Sequence, residues 1–387
     1  MPHIPSGHVQ MLPWSLSLHR LSSCKVAVAT LAIFAHTSTA FIPSLSSQAC
    51  PYLHGRSRCM LHGRASVFGS THPAKNTQET PRRGHRGELL QMAERGSGAH
   101  TSTANYHINQ YCNFECNFCF ATFEDVLSDT GVPPMGLDHE KALKVVDEVC
   151  SCGEFTKINF AGGEPLFRPD LFTLLAKVKQ HGLSTSIITN GYLITPEWVD
   201  SARGLVDQVG ISVDSANPET RLRMGRAHKG RFPMTNKEYL GRAELLHSAG
   251  ISLKINSVVT ALNCDERMAP FINQLRAKRW KVFQALQVSG QNALDDKGVM
   301  CDADMYAKFQ RNNACLEPSA VTTIFEDNDA MTGSYAMIDP FGRFFDNPRG
   351  RHYYSAPIFE LGAAKAYAEI TIDHDKFEAR GGEYSIY

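Results

Sequence analysis

From Asn105 onward, hydrophobic and polar positions follow two alternating rhythms. Short runs that are apolar throughout or apolar at every second residue predict strands, and runs with a 3.6-residue period predict helices. The predicted strands are 105–111, 156–161, 184–189, 207–213, 251–259 and 279–288. The predicted helices are 138–152, 170–181, 196–204, 236–249 and 266–278. Strands and helices therefore take turns along most of the chain.

The first predicted helix shows its period most clearly. Ala142, Val145, Val146 and Val149 fall on one stripe at helical spacing, and Asp138 is placed to cap the N terminus. Glycines fall where three of the helices should end, namely Gly153, Gly182 and Gly250. The sequence therefore marks both ends of the first predicted helix and the C-terminal ends of two others.

The alternation predicts the α/β class. Repeated β–α units form parallel strands joined by right-handed crossovers. Six units predict a partial (β/α)6 barrel, open on one side, over residues 105–300, with a C-terminal extension at 301–387 that closes over the site. Chemistry in such barrels lies at the C-terminal ends of the strands, so residues that follow strands are the first site candidates.

Three cysteines follow the first predicted strand. Cys112, Cys116 and Cys119 have the spacing C-x3-C-x2-C. Iron–sulfur clusters normally take four cysteines, so three would leave one iron of a 4Fe–4S cube open to a small molecule. A structural zinc knot is the alternative, with His107 as the fourth ligand. The other cysteines of the body are scattered, which favours a reduced compartment over a disulfide framework.

Polar groups also mark the ends of the second and fourth predicted strands. The second strand runs into Gly162-Gly163-Glu164, where the two glycines would let backbone groups approach a ligand closely and the carboxylate could accept a hydrogen bond from an ammonium group. On the fourth, Ser212 and Asp214 alternate with apolar residues, so they share the face that should point into the barrel.

Two later strands carry cations on the inward face. Lys254 lies on the fifth strand, and Arg279 and Lys281 share one face of the sixth. Inward cations are costly unless paired, and no carboxylate alternates with them, so the pattern predicts a polyanionic ligand such as a phosphate. The alternative is that these side chains bend outward to solvent. Arg/Gly segments at 347–351 and 380–384 could close over phosphates or form surface loops.

Composition limits the class of partner. The chain has 387 residues, 43% of them hydrophobic, and no net formal charge. Residues 1–78 contain six Lys/Arg and no Asp/Glu, which leaves 33 Lys/Arg and 39 Asp/Glu in residues 79–387, a balance of 33 − 39 = −6. A mildly acidic body argues against nucleic acid as a partner.

The N-terminal part has the character of a targeting segment. Two basic residues precede an apolar run at 26–34, which is too short to span a bilayer, and the small residues before Phe41 resemble a signal-peptidase junction. Ser/Thr-rich, acid-free sequence follows, as in transit peptides. We expect a leader at 1–78 that directs the chain to an organelle, with the plastid favoured over the endoplasmic reticulum, and a polar linker at 79–104.

The cysteine loop, followed one strand later by Gly-Gly-Glu-Pro, resembles the radical S-adenosylmethionine (SAM) superfamily. In that superfamily SAM completes the ligands of a 4Fe–4S cluster and is cleaved to a radical that removes a hydrogen from the substrate. Within it, the chain resembles the viperin family of nucleotide-modifying enzymes from about Asn105 to Tyr387. The strings that carry this resemblance are Lys254-Ile255-Asn256-Ser257-Val258, Arg279-Trp280-Lys281-Val282-Phe283-Gln284 and Arg380-Gly381-Gly382.

The resemblance implies a reaction on CTP. The ribose 4′ hydrogen is removed, the 3′ hydroxyl leaves as water, and one electron completes 3′-deoxy-3′,4′-didehydro-CTP, a terminator of viral RNA synthesis. The implied cofactors are a 4Fe–4S cluster and SAM. The implied partners are CTP, an electron donor such as a flavodoxin or ferredoxin system, and the iron–sulfur assembly machinery.

The resemblance also implies roles for individual residues. The cluster would be held by Cys112, Cys116 and Cys119. The SAM contacts would be Gly162, Gly163, Glu164, Thr189, Ser212 and Arg226. Asn105 would contact cytosine and Asn256 would help to hold the nucleotide. The triphosphate would be bound by Lys254, Arg279 and Lys281, joined by Tyr335 and Arg351.

Two departures from the family and two alternative functions accompany this interpretation. Ala161 stands where animal members have serine, and about ten extra residues follow the cysteine loop, around 126–135. One alternative is a radical SAM enzyme that acts on another nucleotide or on a peptide. Peptide-modifying members often carry further cysteine clusters, whereas only Cys301 and Cys315 follow here. The other alternative is a zinc-binding protein without enzymatic activity.

Overall fold

The six predicted strands lie side by side in chain order in one parallel sheet. The computed structural model describes residues 103–126, 135–314 and 321–382, all within one compact unit. The first six strands are β1 (Thr103–His107), β2 (Lys157–Ala161), β3 (Ser184–Thr189), β4 (Gln208–Ser212), β5 (Ser252–Val259) and β6 (Arg279–Gln284). Each is hydrogen-bonded in parallel to the next, as the β–α rhythm predicts.

Four more strands extend this sheet at both ends. They are β7 (Thr322–Glu326), β8 (Ala336–Ile338), β9 (Arg343–Asp346) and β10 (Tyr353–Pro357). β7 pairs in parallel with β6, β8 pairs in parallel with β1, and β9 and β10 continue as an antiparallel meander. The strand order is β10-β9-β8-β1-β2-β3-β4-β5-β6-β7, so the sheet ends at β10 and β7 and stays open. The predicted partial barrel is thereby confirmed.

Helices connect the parallel strands, and three more follow β10 within the described residues. They are α1 (His139–Ser151), α2 (Leu171–Gln180), α3 (Pro196–Ala202), α4 (Pro218–Arg223), α5 (Asn236–Ser248), α6 (Ala269–Gln274), α7 (Ala303–Asn313), α8 (Asn328–Met331), α9 (Ile358–Leu361), α10 (Ala363–Tyr367) and α11 (His374–Ala379). The apolar stripe of α1 is buried as predicted. The Asp138 carboxylate caps this helix by accepting a hydrogen bond from the Lys141 amide at 2.9 Å.

Alternation along the strands separates the interior of the barrel from the helical layer. On β6, Trp280 and Val282 are fully buried. Trp280 packs against Phe309 of α7, with 6.2 Å between the ring centroids. Lys281, between them in sequence, points to the opposite side and lines the central cavity. The apolar face of the strand therefore supports the helices, and the polar face is left for chemistry.

Several predicted boundaries are corrected. The sheet continues beyond residue 300, because β7 to β10 join it. The predicted linker at 79–104 extends too far, since β1 already begins at Thr103. The predicted strand 279–288 ends at Gln284. Soon after that end, the Val288 amide hydrogen-bonds to the Asn292 side chain at 2.9 Å instead of to a neighbouring strand.

The predicted helix 266–278 is shorter than expected. Asn313 Oδ1 accepts hydrogen bonds from the amides of Met268 and Ala269, at 2.7 and 3.0 Å, and this long-range cap delays the start of α6. Arg276 adopts a positive φ of 53°, which ends the helical path. The start of α6 depends on a tertiary contact and its end depends on backbone geometry. Neither can be predicted from the spacing of apolar residues.

Some sequence predictions fall outside the described residues. These are the leader at 1–78, nearly all of the linker, the extra residues at 127–134, and Cys315. Within 103–126, 135–314 and 321–382, no helix combines the length and the apolar character that crossing a membrane requires.

Candidate active site

One cavity of about 740 Å³ joins most of the predicted site residues. Its size lies in the range of small-molecule and cofactor sites. The residues on its wall that the sequence singled out are Asn105, Cys112, Cys116, Cys119, Gly162, Gly163, Thr189, Ser212, Arg226, Lys254, Asn256, Lys281 and Tyr335. The parallel sheet explains the convergence, because loops that follow adjacent strands meet at the same end of a barrel.

The cysteine loop is held in place by its non-cysteine residues. The amides of Glu115 and Asn117 donate to the carbonyl oxygens of Gly225 and Met224, at 3.3 and 3.0 Å. Gly225 has a φ of +72°, and a Cβ there would lie 2.1 Å from the Glu115 carbonyl oxygen. Only glycine fits this close approach. The segment after β4 therefore clamps the cysteine loop through backbone contacts.

Burial controls the protonation of the three thiols. Desolvation raises the pKa of Cys112 to about 11, although the nearby Phe114 amide opposes this rise. Desolvation also raises the pKa of Cys116 to about 12, against the charge of Arg226, and raises the pKa of Cys119. These thiols therefore need a bound metal to become thiolates, because metal coordination deprotonates a thiol.

The three thiols do not gather round one point as the ligands of a single zinc ion would. Thiolates bound to one tetrahedral zinc lie roughly 3.8 Å apart, given Zn–S bonds of about 2.3 Å. Within the described ranges, no group of three or more His, Cys, Asp or Glu side chains could hold one metal ion. A cube instead places each thiolate on its own iron, which needs a wider spacing.

His107 is not placed as a fourth metal ligand. Its ring lies in an aromatic box, with centroid distances of 5.4 Å to Phe123 and 6.0 Å to both Phe120 and Phe345. Burial, together with the nearby His352, lowers the pKa of His107 to about 3, so the ring is neutral. The zinc-knot alternative therefore finds no support in this part of the molecule.

The two glycines after β2 serve the protein's own backbone. A Cβ on Gly162 would lie 2.3 Å from Asn109 Oδ1, and a Cβ on Gly163 would lie 2.2 Å from the Gln110 carbonyl oxygen. The Gly163 amide also donates to the Asn109 carbonyl at 2.8 Å. From the sequence we expected the two glycines to let backbone groups approach a ligand. The structure shows that they leave room for Asn109 and Gln110, which lead into the cysteine loop.

Glu164 is fully buried and does not line the cavity. Its carboxylate accepts hydrogen bonds from Thr189 Oγ1 at 2.7 Å and from the Asn190 amide at 2.8 Å. Burial raises the pKa of Glu164 to about 7, against these hydrogen bonds. The carboxylate therefore orients the residues at the end of β3, which do reach the cavity wall.

Arg226 forms a buried ion pair with Asp214 next to the cysteine loop. Asp214 Oδ1 also accepts a hydrogen bond from the Val258 amide at 2.8 Å, so this carboxylate ties the end of β4 to β5. Burial works to lower the pKa of Arg226, but the charge of Asp214 overcomes it and the pKa is raised. A permanent positive charge therefore stands beside Cys116 and the cavity.

The cations of β5 and β6 do point inward, and the structure supplies a carboxylate that sequence reasoning missed. Lys281 forms an ion pair with Glu326 of β7, and the Tyr335 hydroxyl donates to the same carboxylate. Arg380 reaches Glu326 at 3.8 Å and stacks on the Tyr335 ring, with its Cζ 3.6 Å from the ring centroid. The expectation of wholly unpaired cations is therefore wrong for Lys281.

This charge cluster still holds an excess of positive charge. Lys254, Lys281 and Arg380 surround the single carboxylate Glu326. Desolvation lowers the pKa of Lys281 to about 7, against the charge of Glu326. It lowers that of Lys254 to about 8, with Arg279 lowering it further. An anionic ligand would restore the ordinary pKa of both ammonium groups.

Lys254 has room because its neighbour on β4 lacks a side chain. Gly210 pairs with Lys254 in the sheet. A Cβ on Gly210 would lie 2.9 Å from Lys254 Cε and 2.6 Å from Ile188 Cδ1. The glycine therefore clears the path along which the lysine reaches the cavity.

Two predicted triphosphate residues do not line the cavity. Arg279 is buried and donates to the Gly381 carbonyl oxygen at 2.6 Å, so it holds the C-terminal segment. Arg351 is exposed, and its Nε donates to the Tyr353 hydroxyl at 2.9 Å. Arg380 belongs to the charge cluster instead, and the Arg-Gly-Gly string was the only sequence signal that pointed to it.

Asn105 lines the same cavity and belongs to a chain of hydrogen-bonded side-chain amides. Its Nδ2 donates to the Ala336 carbonyl oxygen at 3.2 Å, and its Oδ1 accepts from Asn159 Nδ2 at 2.9 Å. Ser186 Oγ donates to Asn159 Oδ1 at 2.7 Å. The Ala336 carbonyl oxygen can only accept a hydrogen bond, so the group of Asn105 that faces it must be the NH2 group. The oxygen of Asn105 then faces Asn159, which fixes the orientation of the second amide as well. Sequence reasoning missed Asn159, which also lines the cavity.

Comparison with known proteins places these features in a family. Residues 106–273 match the model of the Radical SAM superfamily. The chain is 40% identical over 283 residues to an S-adenosylmethionine-dependent nucleotide dehydratase of Lacinutrix mariniflava, an alignment covering 73% of this chain and 58% of that protein. It is 36% identical to one of Flammeovirga pacifica, covering 73% of this chain and 95% of the relative.

An animal relative and a solved structure agree with these matches. The S-adenosylmethionine-dependent nucleotide dehydratase RSAD2 of Oncorhynchus mykiss is 32% identical, with 74% of this chain and 81% of the relative aligned. The crystal structure of native anSMEcpe with bound AdoMet and Cp18Cys peptide superimposes with a TM-score of 0.54 at 16% identity, over 70% of this chain and 82% of that one. At that identity the structural similarity concerns the fold alone.

Proposed function

The chain belongs to the radical SAM superfamily and, within it, to the S-adenosylmethionine-dependent nucleotide dehydratases, and from this premise we propose that its substrate is CTP. The proposed product is 3′-deoxy-3′,4′-didehydro-CTP. The substrate loses its 4′ hydrogen and its 3′ hydroxyl, which leaves as water, and one electron completes the product. A role in antiviral defence is part of the same proposal.

One observation supports a triphosphate substrate above all others. The cations Lys254, Lys281 and Arg380 outnumber the carboxylate Glu326 in a buried cluster, and both lysines line the same cavity as the cysteine loop. Buried cations are stable only when paired, so a polyanion supplies what the cluster lacks. Bound there, a nucleoside triphosphate would have its phosphates held while its sugar extends into the cavity.

The amide chain at Asn105 supports the choice of base. With Asn105 and Asn159 oriented by the Ala336 carbonyl oxygen, each side-chain nitrogen keeps one N–H beyond the hydrogen bond that it already makes. Cytosine presents two adjacent acceptors, O2 and N3, that suit such donors. In this proposal Asn105 contacts the base and Asn256 helps to hold the sugar.

The cluster and SAM, when bound, supply the radical that removes the 4′ hydrogen. Cys112, Cys116 and Cys119 would hold the cluster. SAM would lie against the wall formed by Gly162, Gly163, Thr189, Ser212 and Arg226. Glu164 would act through Thr189 and Asn190, whose positions it sets.

The substrate assignment is tested by anaerobic incubation of the reconstituted protein with SAM, dithionite and each nucleoside triphosphate in turn. We expect CTP to stimulate 5′-deoxyadenosine release more than UTP, ATP or GTP, with a product lighter than CTP by one water. Equal stimulation by UTP would contradict selectivity for CTP, and stronger stimulation by another nucleotide would assign the enzyme to that nucleotide. Turnover of a peptide, with no response to any nucleotide, would replace the nucleotide hypothesis.

We also propose that residues 1–78 direct the chain to the plastid, with the endoplasmic reticulum as the alternative destination. The leader's early apolar run and acid-free composition support organelle targeting. Fusion of residues 1–104 to a fluorescent protein tests this proposal. Plastid fluorescence is expected, and retention in the endoplasmic reticulum would select the alternative.

A further inference from the structure

Large apolar side chains are exposed at three positions in the described part of the chain, and all three lie beside the cysteine loop. Tyr111 is 47% exposed, Leu222 41% and Phe232 62%. Tyr111 directly precedes the first cysteine of the loop. Exposed apolar side chains that gather at one place mark interaction sites more often than scattered ones do.

The segment that carries Leu222 and Phe232 is bonded to the loop itself. The Arg223 carbonyl oxygen accepts from Asn117 Nδ2 at 3.1 Å. The Lys229 amide donates to the Asn113 carbonyl oxygen at 2.9 Å. A partner that covers this segment would therefore lie next to the metal-binding loop.

Basic side chains accompany the apolar ones. Arg223, Lys229 and Arg231 are exposed, and the neighbouring exposed acids are Glu115 and Glu219. We call the apolar and basic set the loop-side patch. It consists of Tyr111, Leu222, Arg223, Lys229, Arg231 and Phe232.

The charge of the loop-side patch differs from that of the body around it. With three cations and two nearby carboxylates, its surroundings carry a net charge of 3 − 2 = +1. Residues 79–387 carry 33 − 39 = −6. An acidic partner would be attracted to the three exposed cations here, on a body whose net formal charge is negative, which favours one docking orientation.

We propose that the loop-side patch is the docking surface for a small acidic one-electron carrier protein. The proposal rests on the proposed function, whose chemistry requires electrons at a cluster held by the cysteine loop. In the docked complex the carrier loses one electron and the cluster gains it, without bond or proton transfer. Electron-transfer complexes bury little surface, often under about 1,200 Å², so a few exposed apolar side chains among charges are suited to one.

The test compares two double variants of the full chain that change the charge equally. Arg223→Glu with Arg231→Glu reverses two patch charges, and Lys144→Glu with Lys365→Glu reverses two exposed charges on α1 and α10. A small acidic [2Fe–2S] ferredoxin is the probe, and surface plasmon resonance at low salt measures its binding. We expect the patch variant to raise the Kd for ferredoxin at least tenfold, and the control to change it less than twofold.

Electron delivery gives the second readout. Ferredoxin-driven release of 5′-deoxyadenosine should fall at least tenfold in the patch variant, while dithionite-driven release stays at the wild-type rate. Phe232→Ser, which changes no charge, should also weaken ferredoxin binding. Because dithionite needs no docking surface, absence of its activity in the wild-type enzyme would count against the proposed function and not against the patch.

Three results would overturn the docking proposal. One is unchanged ferredoxin binding in both Arg223→Glu/Arg231→Glu and Phe232→Ser. Another is an equal loss of dithionite-driven and ferredoxin-driven release, which would show that the substitutions damage the cluster site. The third is a wild-type dimer, detected by analytical ultracentrifugation, that Phe232→Ser dissociates, because the patch would then bind a second copy of the chain.

Discussion

Lys281 shows how burial and charge oppose each other at a single residue. Desolvation lowers its pKa to about 7, while the ion pair with Glu326 works in the other direction. The lysine is therefore held close to the point at which it loses its proton. A phosphate near Nζ would favour the charged form, so ligand binding and protonation of this residue are linked.

Replacement of this lysine should separate phosphate binding from base binding. Lys281→Ala removes one charge-assisted contact, worth roughly 1.5–3 kcal/mol, so the Kd for CTP should rise about 10- to 100-fold. The Kd for cytidine, which has no phosphate, should change less than threefold. Calorimetric titration of the SAM-loaded protein measures both, with Lys144→Ala as an exposed control. Equal losses for both ligands would remove the phosphate role.

The same pKa values predict how CTP affinity depends on pH. The pKa of Lys281 is lowered to about 7 and that of Lys254 to about 8, and bound phosphate should raise both. Binding then takes up protons above pH 7, so CTP affinity should fall as pH rises from 7.5 to 9, by up to about tenfold per pH unit for each proton taken up. Titration in buffers of different ionisation enthalpy measures the uptake. Constant affinity across this range would contradict the linkage.

At the scale of elements, the cysteine loop owes its shape to the segment after β4. Backbone bonds from Glu115 and Asn117 reach Gly225 and Met224, and the Arg226–Asp214 ion pair ties the same segment to the strand end. The loop contributes the thiols, and its neighbour contributes the conformation. Contacts between two loops thus position the three cysteines that one loop carries.

Gly225→Ala should disrupt this arrangement and spare the rest of the fold. The new Cβ would lie 2.1 Å from the Glu115 carbonyl oxygen, at a φ of +72°. Gly204→Ala is the matched control, with a φ of +73° and no atom within 4 Å of its Cβ. Both variants bear about 1–2 kcal/mol of backbone strain, but only Gly225→Ala should lose iron after anaerobic reconstitution, by more than half. Equal iron contents would refute the clamp.

At the scale of the whole molecule, one sheet gathers residues that are far apart in the chain. β8 lies beside β1, and β7 lies beside β6. Asn105 therefore shares a cavity with Tyr335, and Glu326 meets Lys281. The strands added at the two ends of the open sheet bring Tyr335, Met337 and Phe345 to the wall of the cavity that the first six strands form.

The charge cluster of Lys254, Lys281, Arg380 and Glu326 predicts that the nucleotide stabilises the fold through charge. CTP at about 100 times its Kd should add roughly 2.7 kcal/mol to the free energy of unfolding, or several degrees in Tm. Cytidine at the same concentration should add much less, and 0.5 M salt should weaken the effect of CTP because ions screen charges. Differential scanning fluorimetry measures all three conditions. A CTP effect no larger than that of cytidine would contradict the role of the charge cluster.

The sequence by itself determined the six parallel strands, their order and their inward faces, because these depend on local periods of two and 3.6 residues. It also identified the cysteine loop and the lysines of β5 and β6, because each of these motifs lies within a short contiguous stretch of sequence. Strand ends and short helices were less accurate. The start of α6, for example, depends on a cap from Asn313, 45 residues along the chain.

Only the tertiary structure decided which residues complete the site. Glu326 pairs with Lys281 because β7 adds to the sheet beside β6. Arg380, and not Arg351, joins this cluster because the segment after β10 is hydrogen-bonded to Ser334 and to Arg279 of β6. Such pairings depend on which distant segments fold against one another, and that follows from the packing of the whole sheet. The pairing of distant segments therefore cannot be predicted from a local pattern of hydrophobic and polar residues.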